Sequence, residues 1–477
     1  MSKFAYQNPL AERYASKKMT EIFSSQTRYK TWRELWIALA EAERELGISI
    51  SKKQIDELKK FVNDIDFKQV SKIEQEVRHD VMAHVLAYGK KAKSAAPIIH
   101  LGATSCFVTD NADLIIYRDA LRLISDRLVD LIKTLSKFVK KEADRPALGY
   151  THLQPAQLTT VGKRAALWLQ DFQLDFELLT FVLNHLKFRS IKGATGSQAS
   201  FLELFNGDAK KVKKLEKVLT KKFGFKSFYA VGGQTYPRKV DAEILAALTS
   251  IALSVSKMTN DIRYLQSVRE IEEPFAKKQI GSSAMAYKRN PMRCERADSL
   301  ARLVISLATS PQMTAATQFL ERTLDDSANR RISIPEAFLA TDAILLITEN
   351  IAGGLTVYPK IIAKRVEENL PFIATEPILM LAVAKGKSRQ DVHERIRIHS
   401  MTATQRIRKG LENNLVELMA NDPEIGLSLD EIKNELDPKR CVGRAPEQTI
   451  DFLKNEITPL LRKYRRFFPK KNESVKY

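Results

Sequence analysis

The sequence predicts an all-α protein of three helical domains built around a central bundle of long helices. Three observations carry that expectation. Apolar residues recur at alternating steps of three and four over unusually long stretches. Alternating strand patterns are scarce. Two breaks, near Gly102–Thr109 and near Tyr358–Pro359, divide the chain into an N-terminal helical domain (1–104), the central bundle (105–357) and a C-terminal helical domain (358–477). At 477 residues the chain is too long for one simple core, which fits that division.

The first apolar seam runs Leu114, Tyr117, Leu121, Ile124, Leu128, Leu131, Leu135 and Phe138, the a/d stripe of a helix packed against others. Thr109 or Asp110 can cap its start, because a side-chain oxygen there accepts from free backbone N–H groups. A second seam runs Val161, Ala165, Trp168, Phe172, Phe176, Leu179, Leu183, Leu186, and a third Ile244, Leu248, Ile251, Val255, Met258, Ile262, Leu265. Each covers about 25 residues, roughly 35–40 Å at about 1.5 Å per residue, and reads as core. A fourth helical stretch follows Pro291. A fifth precedes the Gly353-Gly354 pair, which suits a helix C-terminus.

Composition narrows the function classes. The chain is 44% hydrophobic and 28% charged, which is globular and far from disordered. No apolar run approaches the ~18 residues that span a bilayer, and the N-terminus lacks the apolar stretch of a signal peptide. Cys106, Cys294 and Cys441 form no CxxC spacing, which argues against a disulfide framework or a zinc site and makes a reducing cytoplasm the simplest compartment. The net charge of +20 suits a nucleic-acid surface, a basic cleft for a phosphorylated, carboxylated small molecule, or a solvated basic face such as Lys210–Lys221. No recognition-helix, RNP or zinc-finger pattern accompanies it, and no aromatic residues interleave with the basic runs.

Four polar segments interrupt the helices. HLGATSCFVTDN (100–111) places Thr104 and Ser105 just before a helix start, suiting either a carboxylate site or an ordinary N-cap loop. THLQPAQLTT (151–160) sets His152, the natural proton carrier at neutral pH, among hydroxyl and amide side chains ahead of a helix. IGSSAMAYKRNPMRCER (280–296) combines Gly281 and two serines with Lys288, Arg289, Arg293 and Arg296. It reads either as a flexible basic loop or as a site where cations and loop N–H donors stabilise a serine alkoxide. ERTLDDSANRR (321–331) offers Arg322 and Arg331 for bidentate bonds to phosphate or carboxylate, or for salt bridges to Asp325 and Asp326.

Together these segments resemble the signatures of the fumarase/aspartase superfamily. RYASKKM (13–19), RHDVMAHV (78–85), KGATGSQASF (192–201), GGQTYPRKVD (232–241), LPFIATE (370–376) and SRQDVHERIR (388–397) resemble the adenylosuccinate lyase family within it. The likeness runs from about Asn8 and fades after about residue 400. It implies elimination of fumarate from a succinylated purine or imidazole nucleotide, with Ser282 as base, His152 as acid and Lys288 stabilising the alkoxide and the carbanion's carboxylate. By the same resemblance Arg13, Tyr14, Arg322, Ser327 and Arg331 would hold the phosphate, and Thr104 and Ser105 a succinyl carboxylate. His79, flanked by Arg78 and Asp80, would orient the substrate or support His152, while Thr151, Gln234 and Arg296 complete the pocket. No metal or organic cofactor is implied, nor a nucleic-acid or membrane partner. The family's architecture implies a homotetramer with a shared core of twenty helices and active sites drawn from several subunits. One position departs from the pattern: the family reads Met-Pro in the signature loop where this chain has Met285-Ala286, which predicts a more flexible loop.

Overall fold

The structure is a computed structural model and describes residues 5–470. It is 67% helical, and its named strands form two antiparallel pairs, as expected of an all-α protein. Five long helices make the bundle: Ser105–Lys141, Val161–His185, Lys239–Ser267, Met292–Leu307 and Asp326–Gly354. The first packs on the second and fifth; the third packs on the second, fourth and fifth.

The seams explain why these helices associate. Every residue of the first is at most 8% exposed, and every residue of the third at most 2%. Full burial of each large apolar side chain is worth about 1.5–3 kcal/mol, so a stripe of eight fixes the rotation of its helix. In the second seam Phe176 and Leu183 are only partly buried. The Lys239–Ser267 helix is, contrary to the sequence expectation, long and apolar enough by length and composition to cross a membrane. Its apolar stripe is instead buried among its bundle neighbours.

Two local expectations need correction. The first helix begins at Ser105 and runs 37 residues, so Thr109 and Asp110 lie inside it; Thr104 occupies the N-cap without a side-chain capping bond. The fifth helix does end at Gly354, but neither glycine there is left-handed. Gly354 is needed for close approach, since a Cβ would stand 2.6 Å from the Pro274 Cβ. The basic C-terminal tail is docked as far as it is described; residues 471–477 lie outside the described residues. The Tyr464 hydroxyl donates to Asp126 Oδ1 at 2.6 Å, the Phe467 and Phe468 N–H groups donate to the same carboxylate, and Arg466 and Lys470 pair with Asp130.

The Ser25–Glu45 helix packs on the first bundle helix, and its Trp32, Trp36 and Leu39 join the main apolar core. Residues from Ala374 to Ile432 form an apolar cluster of their own. In the Ala209–Lys222 helix Val212, Leu215 and Leu219 face inward while Lys210, Lys213, Lys214 and Lys217 are exposed, which is the solvated basic face.

Candidate active site

His152 sits on a hairpin that the sequence did not announce. Strands β1 (Pro146–Thr151) and β2 (Gln154–Thr160) pair antiparallel, and the Thr151–Gln154 pair leaves His152 and Leu153 as a two-residue turn. Both residues are left-handed, with φ of 53° and 58°. Such turns match the strand twist, but glycine or asparagine normally occupies them. Holding a His-Leu pair there costs about 1–3 kcal/mol per residue, a strain found mostly at functional positions. Thr151 and His152 are exposed at the tip.

The signature loop is held at both ends. Asn290 Nδ2 donates to the Gly281 carbonyl at 2.7 Å, and a Cβ on Gly281 would stand 2.1 Å from the Lys288 carbonyl, so only glycine lets the loop fold back on itself. The Glu273 carboxylate accepts from the Arg293 and Cys294 N–H groups at 3.0 and 2.8 Å, and Glu272 pairs with Arg289. Inside the loop Ser282 Oγ accepts from the Met285 N–H at 3.1 Å and the Ala284 N–H at 3.4 Å. Two donors aimed at one oxygen favour its negative form. Lys288 is exposed and makes no ion pair among the described residues.

A third group gathers where the first bundle helix starts. The Thr104 hydroxyl is buried without a partner, at the N-terminus of a 37-residue helix whose first N–H groups have no acceptor within it. An orphaned hydroxyl there, next to Ser105, is what an anion site requires. Gln234 is adjacent: its side-chain oxygen accepts from the Cys106 thiol at 3.5 Å, and its N–H donates to the Glu321 carbonyl at 3.0 Å, which draws the 321–331 segment in. Gly233 permits that contact, because a Cβ would stand 2.5 Å from the Glu321 carbonyl. Burial pushes the Cys106 thiol up, with Asp110 adding to it and Arg322 acting against.

Beneath this group lies a buried ionic network that the sequence reading missed. Arg238 forks onto Asp110 and donates Nε to Asp326 Oδ2 at 2.6 Å. Arg330 donates Nε to Asp241 Oδ2 at 2.6 Å and reaches Asp113, while the Tyr236 hydroxyl donates to Asp241 Oδ1. Arg189 donates to the Gln234 and Gly193 carbonyls. The helix behind Thr104, the 232–241 segment and the helix after Arg322 are thereby fixed to one another. Burial alone would raise the Asp110 carboxyl, but the arginines outweigh it, Arg238 foremost, and hold it below its ordinary value.

The remaining candidates form two sets of exposed and half-buried residues. Tyr14 lies between two guanidinium groups, Arg13 at 5.8 Å and Arg296 at 6.0 Å from its ring centre. Arg331 donates to Asp80 Oδ2 at 2.9 Å, beside His79, which caps its helix by accepting from the Met82 N–H at 3.4 Å, and Arg78, left-handed at φ 53°. Ser327 is half-buried in the first turn of the fifth helix. Burial, with a smaller contribution from His79, pushes the His100 imidazole down to about 4. Neutral His100 accepts from Trp36 Nε1 at 2.9 Å and so serves packing. Among the described residues no hydrogen bond or ion pair joins His152 to Ser282 or Lys288, or Arg13 to Arg322.

Comparison with known proteins supplies the rest. The lyase family matches residues 12–306, and the family described as adenylosuccinate lyase C-terminus matches 371–452. The adenylosuccinate lyase of Saccharomyces cerevisiae is 49% identical over 475 residues, covering 99% of this chain and 98% of that protein. The chain belongs to the adenylosuccinate lyase family. The family's Schistosoma mansoni member is likewise 49% identical, with 96% of each chain covered. The 3-carboxy-cis,cis-muconate lactonizing enzyme from Pseudomonas putida shares the fold, with a TM-score of 0.82 at 24% identity, covering 94% of this chain and 98% of that one. In this adenylosuccinate lyase family chain, residues 307–370 lie between the two matched families. They include the Arg322 and Arg331 segment.

Proposed function

We propose that this site eliminates fumarate from adenylosuccinate, giving AMP, and from succinylaminoimidazole carboxamide ribotide, giving AICAR, by general acid–base catalysis. Ser282 takes the Cβ proton, and Lys288 stabilises both the alkoxide and the carboxylate on which charge collects. His152 protonates the leaving nitrogen. Thr104 and Ser105, at the helix N-terminus, hold a succinyl carboxylate. Arg13, Tyr14, Arg322, Ser327 and Arg331 hold the phosphate, while Arg78, His79, Asp80, Thr151, Gln234 and Arg296 orient the remainder. The observation that carries the reading is Ser282, whose oxygen already accepts two backbone N–H bonds beside a cationic loop.

The active unit in this reading is a cytoplasmic homotetramer with shared sites. Five bundle helices per chain would make the shared core of twenty. Leu167, Leu174, Leu178 and Phe181 form a second apolar stripe at helical spacing on the Val161–His185 helix, and each is 38% exposed or more. The 1–104, 105–357 and 358–477 division remains our reading of the domains.

The deciding assay is fumarate release from adenylosuccinate by the purified protein and by Ser282→Ala and His152→Ala variants. Loss of about 10² or more in each variant is the expected result. A folded tetramer that releases no fumarate from either substrate would overturn the reading.

A further inference from the structure

We propose that Glu270 is a positioning residue for the acid, holding the His152 hairpin in place through Tyr150 and Arg365. The proposal rests on the reading of His152 as proton donor.

Tyr150 is two residues before His152 on β1, and its side chain is the hairpin's anchor. Its hydroxyl accepts from Arg365 at 2.8 Å and donates to Glu270 Oε1 at 3.4 Å, while Arg365 Nε donates to the same oxygen at 2.8 Å. This closes a triangle of three side chains from three elements: β1, the turn before the short strand β3 (Ile271–Glu272), and the helix Pro359–Ile373. Glu270 is fully buried, and Arg164 faces its other oxygen at 3.9 Å while also donating to the Leu148 carbonyl of β1. The Tyr150 ring meets Tyr264 edge-on at 5.4 Å.

The hairpin needs this anchor. A two-residue tip held in left-handed backbone by His and Leu is strained, and the β1–β2 register shifts between Leu148 and Tyr150. Geometry stored against such strain is set by what grips the strand, and the buried grip nearest the tip is the Glu270 triangle. The same short stretch serves the base, because Glu272 and Glu273 anchor the signature loop. Residues 270–273 thus fix the acid's hairpin with one carboxylate and the base's loop with two.

The test is a double-mutant cycle. Glu270→Gln keeps the shape and removes the charge, and Tyr150→Phe removes one hydroxyl and keeps the packing. Each is expected to lower kcat at least about tenfold and to leave KM within about threefold, because of the groups proposed to bind substrate only Thr151 lies on this hairpin. In a His152→Ala background each should change kcat by less than about twofold, since residues acting through one group are not additive. Equal losses in both backgrounds would mean general loosening and would overturn the proposal, and so would unchanged kcat in Tyr150→Phe. A His152→Ala variant with full kcat would overturn the acid assignment first, and the proposal with it.

Discussion

The Arg238 guanidinium forks onto the Asp110 carboxylate, NH1 at 3.1 Å from Oδ2 and NH2 at 3.2 Å from Oδ1, and neither residue is more than 3% exposed. A buried pair of this kind is costly to break from one side, because the survivor keeps its charge without a partner. Asp110→Ala is therefore expected to destabilise the protein by about 3–5 kcal/mol, read from the midpoint of urea unfolding. A midpoint within error of the parent would show that the network does not hold these segments together.

The docked tail gives a second expectation. Asp126 is fully buried and accepts from the Tyr464 hydroxyl, so Tyr464→Phe removes a bond to a charged group. Such bonds are worth about 1.5–3 kcal/mol. Truncation after Lys463 removes Arg466 and Lys470 as well, and thermal unfolding should show a larger drop than for Tyr464→Phe. Equal melting temperatures for the parent and the truncated chain would mean that the tail contributes nothing.

Glu43 makes stability depend on pH. It is fully buried, and burial pushes its carboxyl from the ordinary 4.5 up to about 9. The folded protein keeps a proton that the unfolded chain releases, so the stability from this group is complete below about pH 4.5 and is lost as pH rises through 9. At pH 7 the loss is on the order of 3 kcal/mol. Glu43→Gln should raise the melting temperature clearly at pH 8.5 and little at pH 5. The same shift at both values would rule out titration of Glu43 as the cause.

Ala286 occupies the second position of a turn closed by the Lys288 N–H on the Met285 carbonyl at 3.0 Å. Proline's fixed φ suits that position. Ala286→Pro is expected to stabilise the chain by about 0.4–1 kcal/mol through the unfolded state, and to leave fumarate release intact. A loss of more than about tenfold in kcat would show that closure needs the freedom alanine gives.

The helices were legible in the sequence because their seams are local: the spacing of Leu114 to Phe138 states which face is buried without reference to any partner. The ionic network was not, because Asp110 finds Arg238 128 positions away. One signal was present. Asp110 lies four residues before Leu114 and Asp241 three before Ile244, so each charge extends an apolar seam into a position where only a paired carboxylate survives. The hairpin stayed hidden because His152 and Leu153 are residues that two-residue turns ordinarily exclude. Motif resemblance names candidate site residues, but it says nothing of the contacts that each makes within the chain.

The tail contact bears on the order of events during synthesis. The helix carrying Asp126 and Asp130 leaves the ribosome long before its counter-charges do, with Arg466 following Asp130 by 336 residues. Until then those carboxylates have neither water, if the bundle closes early, nor cations. Co-translational folding of the bundle is thus expected to pause in an open, hydrated form, and a stalled or shortened nascent chain is the form most exposed to the cell's quality control.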